Sequence, residues 1–117
     1  MIYLASPYSH PERMIRLNRY YKTLRYTGYT MSRGTHIFSP IVYAHHLAEH
    51  HNLPKDFDWW QRFDTHMIKV SEGFRVLTLE GWKESKGVQA EIEIATSFGH
   101  TVTYVDWEET FAHIQHG

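Results

Sequence analysis

Cysteine is missing from all 117 residues, which excludes disulfides, thiolate nucleophiles and cysteine-held metals. Charge of one sign is missing too. Twelve Lys and Arg stand against 13 Asp and Glu, a net charge of −1 with histidine neutral. With no basic stripe or Lys/Arg run, binding to a nucleic-acid polymer is not expected. No apolar run is long enough to cross a bilayer, and no signal or lipidation motif stands out. A cytoplasmic protein without a membrane partner is therefore expected. No linker, internal repeat or low-complexity stretch interrupts the chain, and its length fits one domain over residues 1–117. What the chain has in quantity is aromatic residues, 15%, and histidine, ten copies.

Met1-Ile2-Tyr3-Leu4-Ala5 is a short apolar run ended by Ser6-Pro7, the pattern of a buried strand. Ser9 and Glu12 have capping-box spacing. Met14, Leu17, Tyr21 and Leu24 would then form the apolar stripe of a helix closed by Gly28. Thr35–Phe38 is expected as a second strand, Ile41–His51 as a helix broken by Asn52-Leu53-Pro54, and Phe57–Val70 as another helix. Phe74–Leu79 is the clearest strand. A helix over 85–99, a strand over Thr101–Val105 and a terminal helix capped by Asp106 complete the order. Strands alternating with helices predict an α/β domain: a flavodoxin-like or Rossmann-like parallel sheet of about four strands, in three layers with helices on both faces. Ligands of such sheets bind beyond the carboxyl ends of the strands. Those ends carry Ala5-Ser6-Pro7-Tyr8, Ser39-Pro40 and the stretch Gly81 to Gly87.

Two carboxylates break the amphipathic pattern. At about 100° per residue, Val88, Ala90, Ile92, Ile94, Ala95 and Phe98 share one arc of the helix over 85–99. Glu91 falls near its centre, whereas Glu93 points away. In the helix over 57–70, Asp64 falls among Phe57, Trp59, Trp60, Phe63, Met67, Ile68 and Val70. An ionised carboxylate facing a core is costly unless paired or set at the wall of a polar cavity. Each acid has a plainer explanation: Glu91 lies near a helix N-terminus, and Asp64 has Arg62, Lys69 and histidines to pair with. Two inward acids in one small domain can also face a common pocket, the arrangement that glycoside-bond chemistry uses.

Other residues are weaker signals. Ser85 is a natural N-cap; its hydroxyl and the amides around Gly87 at a helix N-terminus suit a phosphate, although a plain cap is the commoner case. His46-Leu47-Ala48-Glu49-His50 has the spacing of an inverted zincin, but no third ligand is evident and ten histidines produce such matches by chance. No metal site and no cofactor are expected. His45 or His46 is expected to face the crevice. Tyr8 overhangs it directly after the first strand. Trp59 and Trp60 either stack a base or fill the core, the core being the default.

Ile2-Tyr3-Leu4-Ala5-Ser6-Pro7-Tyr8, Phe38-Ser39-Pro40-Ile41, Trp60 with Asp64, and Gly81-Trp82 with Ser85-x-Gly87-Val88-x-x-Glu91 together resemble a small family of the nucleoside 2-deoxyribosyltransferase-like superfamily. The resemblance runs from Ile2 to about Val105 and lies in the order and spacing of these segments. It implies cleavage of the N-glycosidic bond of a nucleoside or nucleoside 5′-monophosphate. By the same resemblance Glu91 is the nucleophile, Asp64 orients the nucleophile and the base, and Tyr8 is the tyrosine that contacts the active site. Ser85 stands where the transferases carry an aspartate and resembles the nucleotide-hydrolase branch, in which serine and glycine, here Ser85 and Gly87, hold the 5′-phosphate. Ser6 resembles a further phosphate-loop serine. The first loop departs from that branch, with Pro7-Tyr8-Ser9-His10 in place of glycines and an arginine. The substrate-binding set expected on these grounds is Ala5, Ser6, Pro7, Ser39, Pro40, His45, Trp60, Ser85 and Gly87. Relatives in the superfamily are dimers or larger, so a homo-oligomer is implied.

Overall fold

A computed structural model describes the backbone of residues 1–116 and the side chains through 114. The elements run β1 (Ile2–Ala5), α1 (Arg13–Ser32), β2 (Ile37–Phe38), α2 (Pro40–His51), α3 (Phe57–Val70), β3 (Gly73–Leu77), α4 (Lys86–Ser97), β4 (Val102–Val105) and α5 (Trp107–His116). The four strands form one sheet in the order β2-β1-β3-β4, and every neighbouring pair is parallel.

A parallel sheet is covered on both faces, so its strands are apolar almost throughout. Tyr3, Ala5, Phe74 and Val76 point to one face and pack with Ile68 of α3 and with Val88 and Ala95 of α4. Leu4, Ile37 and Leu77 point to the other, where Tyr26 of α1 and Trp107 of α5 meet them. The result is three layers, with α2 packed against α1. Burying a side chain such as Leu4 or Val76, both without solvent exposure, contributes roughly 1.5–3 kcal/mol. β1 leads through α1 to β2 on one side, and β3 joins β1 on the other. The crevice beyond β1 is therefore the topological switch point, where open α/β sheets bind ligands.

Several local expectations are corrected. The Ser9–Glu12 capping box does not form: α1 begins at Arg13, Glu12 holds the N-cap position without a side-chain bond, and its amide donates to His10 Nδ1 at 3.0 Å. Gly28 does not end α1, which continues to Ser32 and closes at Gly34 with a left-handed φ of 96°. The stripe of Met14, Tyr21 and Leu24 is exposed; Tyr20, Thr23, Tyr26, Thr27 and Thr30 face inward instead. That buried face is hydroxyl-rich because it is partly bonded: Thr23 Oγ1 donates to Ser6 Oγ and Tyr26 Oη accepts from Arg75. Trp59, Phe63 and Val70 of α3 and Phe98 after α4 are also exposed rather than packed inward. β3 starts at Gly73 and stops at Leu77, yet Thr78 still donates its amide to Val105 O at 2.9 Å before the chain turns.

Candidate active site

Two serine N-caps, the expected one at Ser85 and a further one at Ser39, position the helices around the crevice. Ser85 Oγ accepts from Val88 N at 3.2 Å and opens α4 beyond the end of β3; Ser39 Oγ accepts from Val42 N at 3.1 Å and opens α2 beyond β2. Between them lies a cavity of about 560 Å³. Its walls are the β1–α1 loop (Ser6, Tyr8, Ser9), one face of α2 from Pro40 to Ala48, α3 from Phe57 to Asp64, and the start of α4 from Glu84 to Glu91.

The two inward acids meet this cavity. Glu91 and Asp64 both line it, and each is only 5% exposed. Glu91 sits in the second turn of α4 because a buried stripe of Val88, Glu91 and Ala95 faces the sheet. Its Oε2 accepts a hydrogen bond from Tyr3 Oη. Tyr3 belongs to β1, is fully buried, and has its ring stacked on Phe74 at 5.6 Å. The phenol that holds the glutamate is thus itself fixed by the sheet. Asp64 comes from the one inward column of α3 that it shares with Ile68.

Burial disfavours charge on both acids. It pushes Asp64 up to about 7. It pushes Glu91 up to about 8, with the Tyr3 hydrogen bond acting downward and the charge of Asp64 upward. The Tyr3 phenol is held well above its usual value by burial, then by the charges of Glu91 and Asp64. These couplings make the three groups one titrating system. Among the described residues, the only buried side-chain polar atoms without a partner are Thr27 Oγ1 and Asp64 Oδ1. Among the described residues Glu91 Oε1 has no hydrogen-bond partner, and the Glu91 side chain lines the cavity.

Tyr8 is brought to the same cavity but not to the acids. Its Oη pairs with His45 Nδ1 of α2 at 2.7 Å, and both side chains are buried. Of the other expected residues, Ser6, Pro40, His45, Trp60, Ser85 and Gly87 line the cavity, whereas Ala5, Pro7 and Ser39 do not. Ala5 lies in the core, Pro7 is fully buried, and Ser39 is spent on capping α2. The Trp60 indole donates from Nε1 to Pro54 O at 2.7 Å, and the residue lines the cavity. A Cβ added at Gly87 would rest at 3.5 Å from Phe57 Cβ, an ordinary contact, so sterics alone do not require glycine there. The rim mixes Lys55 and Lys86 with Asp56, Asp58 and Glu84.

His46 and His50 lie with ring centroids 6.3 Å apart, and among the described residues no three His, Asp or Glu side chains converge on a point that can hold a metal. No described helix is long and apolar enough to cross a membrane.

Tyr3 is the residue that the pattern of the sequence hid. Its signal was a tyrosine inside an otherwise aliphatic strand: a fully buried phenol needs an acceptor, and the inward Glu91 was the candidate. Compared with known proteins, residues 1–108 match a family model described as a domain of unknown function, DUF1937. No curated protein matches the chain.

Proposed function

We propose that this chain, which belongs to the DUF1937 family, cleaves the N-glycosidic bond of a nucleoside or nucleoside 5′-monophosphate. The observation that carries the reading is the placement of Glu91 and Asp64 in one cavity wall, with one glutamate oxygen held by Tyr3. Two coupled acids beside a cavity of nucleoside size suit glycosyl chemistry. The resemblance to the nucleoside 2-deoxyribosyltransferase-like superfamily points the same way.

In this mechanism Glu91 Oε1 attacks C1′, the C1′–N bond breaks toward the base, and a glycosyl-enzyme ester forms. Water or a second base then resolves the ester with retention of configuration. Tyr3 holds Oε2 so that Oε1 faces the sugar. Asp64 orients the nucleophile and, when protonated, supplies a hydrogen bond to the departing base. The 5′ end lies at the start of α4, where the Ser85 hydroxyl and the first-turn amides favour a phosphate. Protomers assemble into a homo-oligomer, as the superfamily resemblance implies.

The test is base release, followed by chromatography over a panel of nucleosides and monophosphates. Wild type releases base from at least one member, and folded Glu91→Ala from none. Full release by folded Glu91→Ala would overturn the assignment.

A second reading has one observation in its favour. With Glu91 at about 8, the acid is mostly neutral at pH 7 and a poor nucleophile. That suits a nucleotide- or ADP-ribose-binding module without turnover. Ligand binding unchanged in Glu91→Gln, together with no base release between pH 6 and about 9, a span bracketing the ionisation of both acids, would favour it.

A further inference from the structure

The acids occupy one side of the cavity, and the Tyr8–His45 pair occupies another for which the cleavage step has no use. α4 leads away from β3, α2 leads away from β2, and β1 lies between those strands. A sugar with C1′ at Glu91 and its 5′ end at Ser85 has both of these on α4, which leaves the α2 side for the heterocycle. That side suits a flat ring: α2 contributes Pro40, Ile41, Ala44 and Ala48, and the Trp60 indole stands nearby on α3. His45 is the only polar side chain that α2 adds to the cavity wall.

The pair is arranged to offer one hydrogen-bonding atom. Tyr8 Oη and His45 Nδ1 lie 2.7 Å apart. Burial lowers the pKa of His45 and raises that of Tyr8, so both are neutral near pH 7. Between two neutral groups the phenol is the stronger acid and donates, which makes Nδ1 the acceptor and leaves the proton on Nε2. Among the described residues Nε2 has no hydrogen-bond partner, and His45 is one of the residues that line the cavity. The His45 ring cannot turn freely, because Tyr20 packs on it at a centroid distance of 4.0 Å.

We propose that His45, held in one tautomer by Tyr8, reads the base of the substrate by donating its Nε2–H to a carbonyl oxygen or unprotonated ring nitrogen of the heterocycle. This rests on reading the cavity as a nucleoside site and adds the group that selects the leaving base. The same bond strengthens as electron density moves onto the base during C1′–N cleavage, without any transfer of the histidine proton. Tyr8 acts here as a positioning residue, and His45 as the group in contact with substrate.

The experiment is nitrogen-resolved NMR of the His45 imidazole in the full chain, titrated with uracil, hypoxanthine and adenine, and separately with ribose 5-phosphate. The expected result is a ring protonated on Nε2 alone, whose Nε2 resonance moves with at least one base and not with the sugar phosphate. His45→Leu weakens binding of that base about tenfold, the scale of one lost hydrogen bond. Tyr8→Phe replaces the single tautomer by a mixture. A ring protonated on Nδ1, or an Nε2 resonance unmoved by every base, overturns the proposal whether or not the variants fold, because wild type alone reports it. Base release is measured in parallel. Bases that engage His45 without release from any nucleoside or monophosphate would remove the glycosidase reading and leave this one standing. Release with an unmoved Nε2 would do the reverse.

Discussion

Tyr3 and Glu91, 88 residues apart in the chain, share a buried hydrogen bond in which the phenol donates to Oε2. The bond stabilises the ionised carboxylate and opposes the effect of burial. One atom on the central strand thereby influences both where the glutamate points and when it carries charge.

Removing that donor tests its electrostatic role. Tyr3→Phe keeps the ring stacked on Phe74 and deletes only the hydroxyl. Glu91 then rises above its present value of about 8, so the rising limb of the pH profile for base release moves to higher pH. At pH 7 the rate falls about tenfold, in step with the smaller ionised fraction of Glu91, and recovers toward alkaline pH. An unchanged pH profile in a folded Tyr3→Phe would remove Tyr3 from the site's chemistry.

Both acids make stability depend on pH, with a definite sign. Their folded values, about 7 for Asp64 and about 8 for Glu91, lie above the unfolded ones near about 4. Between those limits the folded protein holds protons that the unfolded chain has released. The stability these two acids contribute is greatest in acid near about pH 4 and is lost as pH rises through about 8. Glu91→Gln stays neutral, keeps an acceptor for Tyr3, and removes about half of that loss. It gains on the order of 5 kcal/mol over wild type near pH 9. Asp64→Asn gains in the same direction by less and lets Glu91 ionise at lower pH. Urea unfolding at pH 5 and pH 9 measures both; parallel curves for wild type and Glu91→Gln contradict the buried-acid account.

The cavity rim depends on an arginine strut. Arg19 donates to Ser9 O at 2.8 Å and to Glu80 O at 3.2 Å, tying the loop after β1 to the loop after β3. Gly81 beside it has φ of 91°, and a Cβ there would run into the Arg19 guanidinium. Gly81→Ala is expected to cost about 1–3 kcal/mol through backbone strain and the displaced arginine. Arg19→Ala costs less in stability but raises KM for base release more than it lowers kcat. Thermal unfolding and steady-state kinetics separate the two effects.

Gly28 offers the opposite outcome. It lies inside α1 with φ in the ordinary range, and an added Cβ would meet nothing within 4 Å. Gly28→Ala therefore stabilises by about 0.5–1 kcal/mol, because alanine loses less backbone freedom on folding. The gain reads out as a higher Tm with base release unchanged.

The elements near the site were the most legible in the sequence. The bounds of α3, the cap at Ser85, and the inward turn of Asp64 and Glu91 all follow from helical period and side-chain chemistry. An acid in an apolar arc is visible because polarity and period disagree there. The existence of α1 was legible but its inward face was not, because that face carries Tyr20, Thr23, Tyr26, Thr27 and Thr30, residues that look like a solvent face until their partners are known. The Ser9–Glu12 spacing misled for a similar reason: Glu12 N finds His10 Nδ1, a local bond that competes with the cap. Tyr3 and the Tyr8–His45 pair stayed hidden because their meaning lies in contacts between distant segments. Period and propensity report on near neighbours only.

The central position of β1 has a consequence for synthesis. A chain made from its N-terminus presents β1 first, yet one of its two sheet neighbours, β3, and the carboxylate that its tyrosine serves belong to the second half. Such distant pairing makes assembly slow and late. A nascent chain on the ribosome cannot complete this cavity piecemeal, and a fragment ending before α4 would leave the Tyr3 hydroxyl without its carboxylate partner.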